Sequence, residues 1–406
     1  MKAEIIAVGT EILVGDIVNT NAQFLSERLF ALGIDMYYQT VVGDNPVRLK
    51  EACRLAFSRA DLVIFSGGLG PTDDDLTKET VAEYFHVPLL FHTEIVEEIK
   101  QYLNGRYPLS NEKQAYIPEG AQILHNAYGT APGIILEKNE KIAVLLPGPP
   151  REIMPMFQDQ VEPYLKAKSD FVMESKVVRL FGIGEAKVGE TVLDLMNGSN
   201  PTVAPYAKDN EVILRISAKA KTANDAKSMI EETRKEIETR LGEYIYGYDE
   251  QTMAKTTAAL LLDRGLTVAC AESCTAGRLT AALGDVPGIS SVLSESIVTY
   301  SNDAKMKYLG VSPKTLQAHG AVSAETAEEM ARGIRKAAGA DIGVSVTGIA
   351  GPDGGTEEKP VGLLYIGVCY QDEVSVLKLQ LHGNRDKVRQ GAVMHGLNAI
   401  RKRILA

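Results

Sequence analysis

Cysteine is scarce in this 406-residue chain, and the four present, Cys53, Cys270, Cys274 and Cys369, are scattered. That spacing argues against a disulfide framework and fits a reducing, cytoplasmic setting. No uninterrupted apolar run approaches the roughly 20 residues that a membrane helix needs. The apolar start MKAEIIAVGTEILVGD is broken by Glu4 and Glu11, so it is expected to be a buried first strand and not a signal peptide. Basic excess is lacking too: 43 Lys and Arg stand against 53 Asp and Glu, a formal charge of −10. A general nucleic-acid binder is more often basic, so direct nucleic-acid binding is not expected.

What is present is an ordinary globular composition, 45% hydrophobic and 24% charged, in a chain long enough for two or three domains. Residues 1–168 alternate apolar strands (EIIAVG, MYYQTVVGD, DLVIFSGG, KIAVLLPGPP) with amphipathic helices (NAQFLSERLFALG, PVRLKEACRLAFSRA, LTKETVAEYFH, REIMPMFQDQVEPYL). Such alternation predicts a parallel sheet covered on both faces, with its ligand at the carboxyl ends of the strands. Residues 169–250 change character. SKVVRLFGIG and EVILRISAKA suit half-buried strands, and the charged NDAKSMIEETRKEIETRLG suits a solvated helix, giving a small α+β domain. Its GIGE turn beside Lys187 lacks the terminal glycines of a nucleic-acid-clamping GxxG and any basic cluster, so a spacer or dimer element is the better reading. Residues 251–406 return to α/β: helix TMAKTTAALLLDRG, strands LTVACAES, SESIVTYS, DIGVSVTG, VGLLYIGVCY and VLKLQL, and a terminal helix DKVRQGAVMHGLNAIRKRIL.

Three strand ends in the first domain carry unusual loops, GTEILVGD, SGGLGPTDDDLT and LPGPPRE. Gly67, Gly68 and Gly70 allow close backbone approach and positive φ, and the loop opens a helix whose free N–H groups favour an anion such as phosphate. Asp73, Asp74 and Asp75 beside that anion call for a bridging hard cation with oxygen ligands. The plainer alternative is that these aspartates cap the helix and complement its dipole.

In the last domain, CAESCTAGRLT places Ser273 between two cysteines. CxxxC is neither a redox spacing nor, without partners elsewhere, a zinc site, and Cys270 fits the strand as a small core residue. Ser273 falls where strand is expected to meet helix, so its hydroxyl would sit at a helix N-terminus. A serine nucleophile needs a base. His319, His382 and His395 are not in triad-like loops, whereas IVTYSNDAK offers Lys305 one turn into the next helix, with Tyr300 just before it. The alternatives are that Ser273 is only a helix cap with Lys305 a surface residue, or that Cys274 is the nucleophile. SVTGIAGPDGG adds a glycine-rich turn suited to cradling phosphate or amide. HGNRDKVRQGA brings Arg385 and Arg389 just ahead of the last helix, where an arginine fork suits phosphate.

The loop SGGLGPTDDDLT is similar to the signature of the molybdopterin-binding fold of the MoaB/MogA type. VGTEILVGD, GGLGPTDDDLT and LPGPPREI, followed by AESCTAG, VTYSNDAK, VTGIAGPDGG and GNRDKVR, resemble the CinA family (competence/damage-inducible protein A) over essentially the whole chain. The resemblance implies two three-layer α/β domains with mostly parallel sheets, joined by the small α+β domain. It implies that residues 1–168 form an ADP-ribose pyrophosphatase needing a divalent metal ion (Mg, Mn or Co), with Asp75, Asp16 and Asp44 near the metal and Gly67, Gly68, Gly70 and Thr72 on phosphate. It implies that residues 251–406 hydrolyse nicotinamide mononucleotide to nicotinic acid mononucleotide and ammonia without a cofactor. There Ser273 would be acylated, Lys305 the base, Tyr300 a proton relay or orienter, and Thr347, Gly348 and Arg385 substrate-binding. Small nucleotides and a second copy in a homodimer are the partners expected, with no membrane. A non-catalytic pterin- or nucleotide-binding role in competence or DNA repair is the alternative. Ala276 stands where the family usually has the first glycine of AESCTGG, which matters if that position needs positive φ.

Overall fold

The computed structural model describes residues 1–169 and 171–406. By contacts these form two compact units, one of residues 1–174 with 217–230 and one of 175–216 with 231–406. Among the described residues no helix is long and apolar enough to cross a membrane.

In the first unit, β1 (Lys2–Val8) is buried from Ala3 onward and pairs in parallel with β2 (Asp35–Val42) and β3 (Leu62–Ser66). A short ribbon of β4 (Leu89–Phe91) and β5 (Tyr116–Pro118) stands apart. With β6 (Gln122–Leu124), β7 (Gly133–Lys138) and β8 (Lys141–Leu146), the main sheet runs β2-β1-β3-β8-β7-β6, antiparallel only at β7 and β6. Successive side chains of β1 point to opposite faces, so Ile5 enters one core with Ile64 and Val144, and Ile6 the other with Val63 and Phe65. Glu4, which breaks the apolar run, is buried by pairing. Arg59 donates to both of its carboxylate oxygens at 2.8 and 2.9 Å, and Thr40 adds a third bond.

Next come β9 (Val172–Leu180), β10 (Thr202–Lys208), β11 (Glu211–Ala220) and β12 (Ile245–Tyr248), a sheet in the order β10-β11-β9-β12 with the helix Ala223–Leu241. The closing sheet is built of β13 (Val268–Glu272), β14 (Leu293–Val298), β15 (Ile342–Gly348), β16 (Leu363–Tyr370) and β17 (Glu373–Gln380), in the order β14-β13-β15-β16-β17. Its first three strands are parallel and its last two antiparallel. Glu272 is level with both Val298 and Val346. Ser273, Thr299 and Thr347 therefore follow one another across three adjacent strand ends.

One face of this sheet carries Cys270, Val344 and Val346 against the terminal helix Arg385–Leu405. The other carries Ala269 and Ala271 against Leu309, Met330 and Ile334. Leu309 ends the helix Asn302–Leu309, which bears Lys305, and Met330 and Ile334 lie on the helix Ala324–Ala338. These two helices meet at Gly333, where an added Cβ would lie 2.0 Å from the carbonyl oxygen of Leu309. Nothing larger than hydrogen fits without separating the helix that positions Lys305 from its support. Gly333→Ala is expected to lower the stability of this domain by about 1–3 kcal/mol, read as a lower urea midpoint. An unchanged midpoint would contradict the close crossing.

Candidate active site

Ser273 is the residue after β13, and its N–H donates to the carbonyl of Val346 at 2.9 Å. The following helix does not start there. It spans Arg278–Gly284, and Ser273–Gly277 forms a tight loop in which the N–H of Ala276 returns to the carbonyl of Ser273. The expectation of a serine at a helix N-terminus is therefore corrected. That terminus belongs to Glu272, whose carboxylate accepts the N–H groups of Leu279 and Thr280 and the Thr280 hydroxyl. A buried carboxylate satisfied by three donors is the dipole's partner here.

The loop is held from its other side by Arg389. Its Nε donates to the carbonyl of Cys274 at 3.1 Å and its Nη2 to that of Thr275 at 2.8 Å. Within the loop, Ala276 has φ +50° and Gly277 φ +90°. The position that departs from the family motif is thus left-handed, the region where a Cβ costs about 1–2 kcal/mol.

Lys305 is 1% exposed, and Ser273 is 8% exposed. The lysine Nζ lies 3.2 Å from Ser273 Oγ, 2.8 Å from the carbonyl oxygen of Thr299 and 3.3 Å from that of Tyr300. Burial lowers the Lys305 ammonium from its ordinary value, opposed only by the nearby Cys274 thiol. Nζ donates to all three oxygens, and loss of one proton would leave its lone pair to take the Ser273 hydroxyl proton while the two carbonyls keep the remaining N–H bonds. The thiols are placed differently. Burial pushes Cys270 up to about 12 and Cys274 up to about 11, so both stay protonated at neutral pH.

The structure brings Ser273 and Lys305 together but sends the Tyr300 side chain elsewhere. Tyr300 is 58% exposed, and its hydroxyl accepts from Arg385 Nη2 at 3.2 Å. It touches Lys305 only through its backbone carbonyl. Arg385 Nη1 also donates to the carbonyl of Gly351 at 2.7 Å, linking the loops after β14 and β15. Arg385 and Arg389 lie within the terminal helix and not ahead of it. Thr347 is fully buried, with its hydroxyl given to the carbonyl of Ala321 at 2.7 Å. Gly348 is required by packing, since a Cβ there would lie 2.1 Å from Leu364 Cδ2. Glu272 and Arg389 as loop anchors escape single-sequence reading because each acts on backbone groups, which leave no mark in residue type. Their only signal was position, beside the serine and one turn past Arg385.

In the first domain a cavity of about 380 Å³ opens at the ends of β1, β3 and β8. Gly67, Gly68, Gly70, Asp44, Asp75 and Glu152 line it, with Glu11 and Asp74 beside them. Gly67 (φ +101°) passes so close to β1 that a Cβ would lie 2.3 Å from the carbonyl oxygen of Val8. Asp16 is not on this cavity. Its N–H closes a turn onto Glu11 at the far end of the GTEILVGD loop, so Asp16 does not join Asp44 and Asp75. The helix after the aspartates, Thr77–Tyr84, has Leu76 at its N-cap and no side-chain cap, so the capping alternative is corrected as well. Asp75 instead accepts the N–H of Thr72 at 3.0 Å and the Thr72 hydroxyl, which occupies both Thr72 donors. Asp44 does the same for Thr10, at 2.9 and 2.8 Å. Lys113 straps the aspartate loop from behind, donating to the carbonyls of Thr72 and Asp75. Among the described residues no three His, Cys, Asp or Glu side chains converge as metal ligands.

Fold and sites together define a chain of two α/β modules with loops gathered at strand ends, linked through a small α+β module. Residues 4–167 match the probable molybdopterin-binding domain, 175–247 the damage-inducible protein CinA KH domain, and 250–404 the CinA C-terminal domain. CinA-like proteins of Kosmotoga olearia and Dictyoglomus turgidum are 53% and 51% identical over 409 aligned residues, covering 100% of this chain and 99% and 100% of theirs. The chain belongs to the CinA family. Among solved structures, the competence/damage inducible protein CihA of Agrobacterium tumefaciens is 38% identical over 37% of this chain and 92% of its own, with a TM-score of 0.36. In the KH-matching segment, Lys187, in the helix that follows the GIGE turn, is exposed and lies 3.4 Å from Glu190.

Because Ala276 is held at φ +50°, Ala276→Gly is expected to stabilise the domain by about 0.5–1 kcal/mol, and Ala276→Val to destabilise it by about 1–3 kcal/mol. Denaturant midpoints of the two variants check this. A glycine variant weaker than the parent would show that the loop is not left-handed.

Proposed function

We propose that the C-terminal domain hydrolyses the carboxamide of nicotinamide mononucleotide to the carboxylate and ammonia, in cytoplasmic salvage of pyridine nucleotides. The observation that carries this is the buried Lys305 amine 3.2 Å from Ser273 Oγ, with both remaining neighbours carbonyl oxygens. As Ser273 Oγ bonds to the carboxamide carbon, its proton passes to Lys305 Nζ. The carbon–nitrogen bond then breaks as Lys305 returns that proton to the departing nitrogen, releasing ammonia. Water attacks the acyl carbon, its proton goes through Lys305 to Ser273 Oγ, and the carboxylate leaves. Arg385, oriented by Gly351 and Tyr300, supplies a guanidinium for the nucleotide phosphate. A non-catalytic nucleotide-binding role in DNA uptake or repair leaves the buried amine without a purpose.

The first domain is proposed as an ADP-ribose pyrophosphatase. Its glycine-lined cavity carries at least five carboxylates, Glu11, Asp44, Asp74, Asp75 and Glu152, a lining that repels a diphosphate unless a cation is shared. The donors are hard oxygens, and small divalent ions are commonly held by one or two carboxylates plus substrate phosphates, so the set fits with Asp44 and Asp75 as holders. Such an ion, when bound, neutralises diphosphate oxygens and acidifies a water. The chain's own part is to hold the loops: Thr10 fixes Asp44, Thr72 fixes Asp75, and Lys113 fixes the backbone between.

Ser273→Ala, Lys305→Ala and Lys305→Arg are each expected to lower ammonia release at least about 10³-fold with an unchanged circular dichroism spectrum; retained activity in the serine variant sinks the mechanism. The neutral amine is the active form, so the rate should fall as pH drops through the Lys305 titration, with a midpoint below the ordinary lysine value of 10.5. Asp75→Asn should impair ADP-ribose cleavage and leave ammonia release intact. Cleavage that survives EDTA would remove the divalent ion from the proposal.

A further inference from the structure

Leu109–Ala115, the segment that carries Lys113, is a 3₁₀ run in which Asn111, Gln114 and Ala115 are buried. Side chains three residues apart eclipse in such a run, so the amides of Asn111 and Gln114 share the inward side. Asn111 Nδ2 donates to Gln114 Oε1 at 2.7 Å, and Gln114 Nε2 donates to the carbonyl oxygen of Leu69 at 3.1 Å. A carbonyl can only accept, so the orientations of both amides follow. Lys78, 6% exposed on the helix Thr77–Tyr84, donates to the carbonyl of Lys113 at 2.5 Å. The segment is therefore tied to the glycine–aspartate loop at Leu69 and to the helix that this loop enters at Lys78.

Between these ties, Lys113 Nζ donates to the carbonyl oxygens of Thr72 at 2.6 Å and of Asp75 at 2.5 Å. Those carbonyls belong to the first and last residues of a tight turn, because the N–H of Asp75 returns to the Thr72 carbonyl at 3.2 Å. One ammonium thus spans the turn from end to end. Glu112 precedes Lys113, and Asp73, Asp74 and Asp75 lie in the turn, yet no carboxylate is within ion-pair distance of Nζ among the described residues. The lysine is spent on backbone, and the acids stay uncompensated. Asp75 Oδ2 is occupied by Thr72, whereas Oδ1 has no hydrogen-bond partner among the described residues.

We infer that Lys113 is a positioning residue for the divalent ion: it raises the affinity of the acidic loop for a cation although its own charge repels one. This rests on the pyrophosphatase reading for the ion, with Asp75 as a holder. Two effects of opposite sign compete. As a charge alone, Lys113 opposes a cation, so its removal would tighten binding. As the clip across the turn, it fixes the backbone from which Asp75 projects, so its removal leaves that carboxylate to be ordered when the ion binds. Thr72, Asp73 and Asp74 are exposed to water, which screens the repulsion. Groups that orient a metal's ligands are commonly worth about 10–100-fold in affinity, so the clip outweighs the charge.

The test is titration of the intact protein with manganese(II), without substrate, with the free ion counted by electron paramagnetic resonance. The parent is expected to bind the ion, and Asp75→Asn to bind it more weakly. Lys113→Met is expected to weaken binding about 10–100-fold, with Lys113→Arg, which can donate to both carbonyls, closer to the parent. Lys113→Gln also removes the charge, and it gives the same sign should Lys113→Met fail to fold. Neutral variants that bind manganese as tightly as the parent, or more tightly, overturn the inference and leave the metal reading standing. A parent that binds no manganese, or an Asp75→Asn variant that binds as well as the parent, overturns both.

Discussion

Lys305 has its ammonium position deep between two strand ends, and it has no carboxylate within ion-pair distance among the described residues. Desolvating an ammonium that has no carboxylate partner is costly, and burial lowers Lys305 from its ordinary value. Much of the surrounding structure serves that one group. The helix bearing it is pressed onto the sheet by the crossing at Gly333. The carbonyls of Thr299 and Tyr300 and the Ser273 hydroxyl oxygen surround its Nζ and accept from it. On the serine side, Glu272 and Arg389 hold the loop from opposite ends, one through N–H groups and the other through carbonyls. Ser273 and Lys305 are thus each fixed by backbone contacts at separate strand ends, and the parallel register of β13 with β14 sets their separation.

Strands and helices of the two α/β modules were legible because continuous apolar runs such as DLVIF and DIGVSV, alternating with amphipathic helices, suit strands buried on both faces. The stretch from Leu89 to Lys138 was not. Its strands are three to six residues long and paired antiparallel, too short for any period to show. The pairing of Ser273 with Lys305 was legible from residue types at two strand ends. The start of the helix after Ser273 was misplaced because TAGRLTAALG has helical composition throughout, whereas the left-handed backbone at Ala276 and Gly277 delays it to Arg278. No alanine advertises a positive φ. Tyr300 was expected at the reacting atoms, yet a side chain following a strand end can turn either way, and Arg385 draws it outward.

The two α/β modules use the same architectural position in opposite electrostatic styles. At the C-terminal site burial lowers the Lys305 ammonium and keeps the Cys274 thiol protonated, and the buried Glu272 carboxylate is spent on a helix terminus. The N-terminal cavity gathers carboxylates, with Asp44 and Asp75 each held by a threonine and the aspartate loop strapped by Lys113. The first arrangement suits proton transfer to and from a neutral amide. The second suits a polyanion that arrives with its cation.

The central claim is that Ser273 is the atom acylated, with Lys305 as its proton carrier. Rapid chemical quench of the protein during turnover of nicotinamide mononucleotide, followed by peptide mass spectrometry, tests it most directly. The account predicts a nicotinoyl-nucleotide ester on Ser273 in the peptide that spans β13 and its loop. An adduct on Cys274, or turnover with no adduct on any residue, would contradict it.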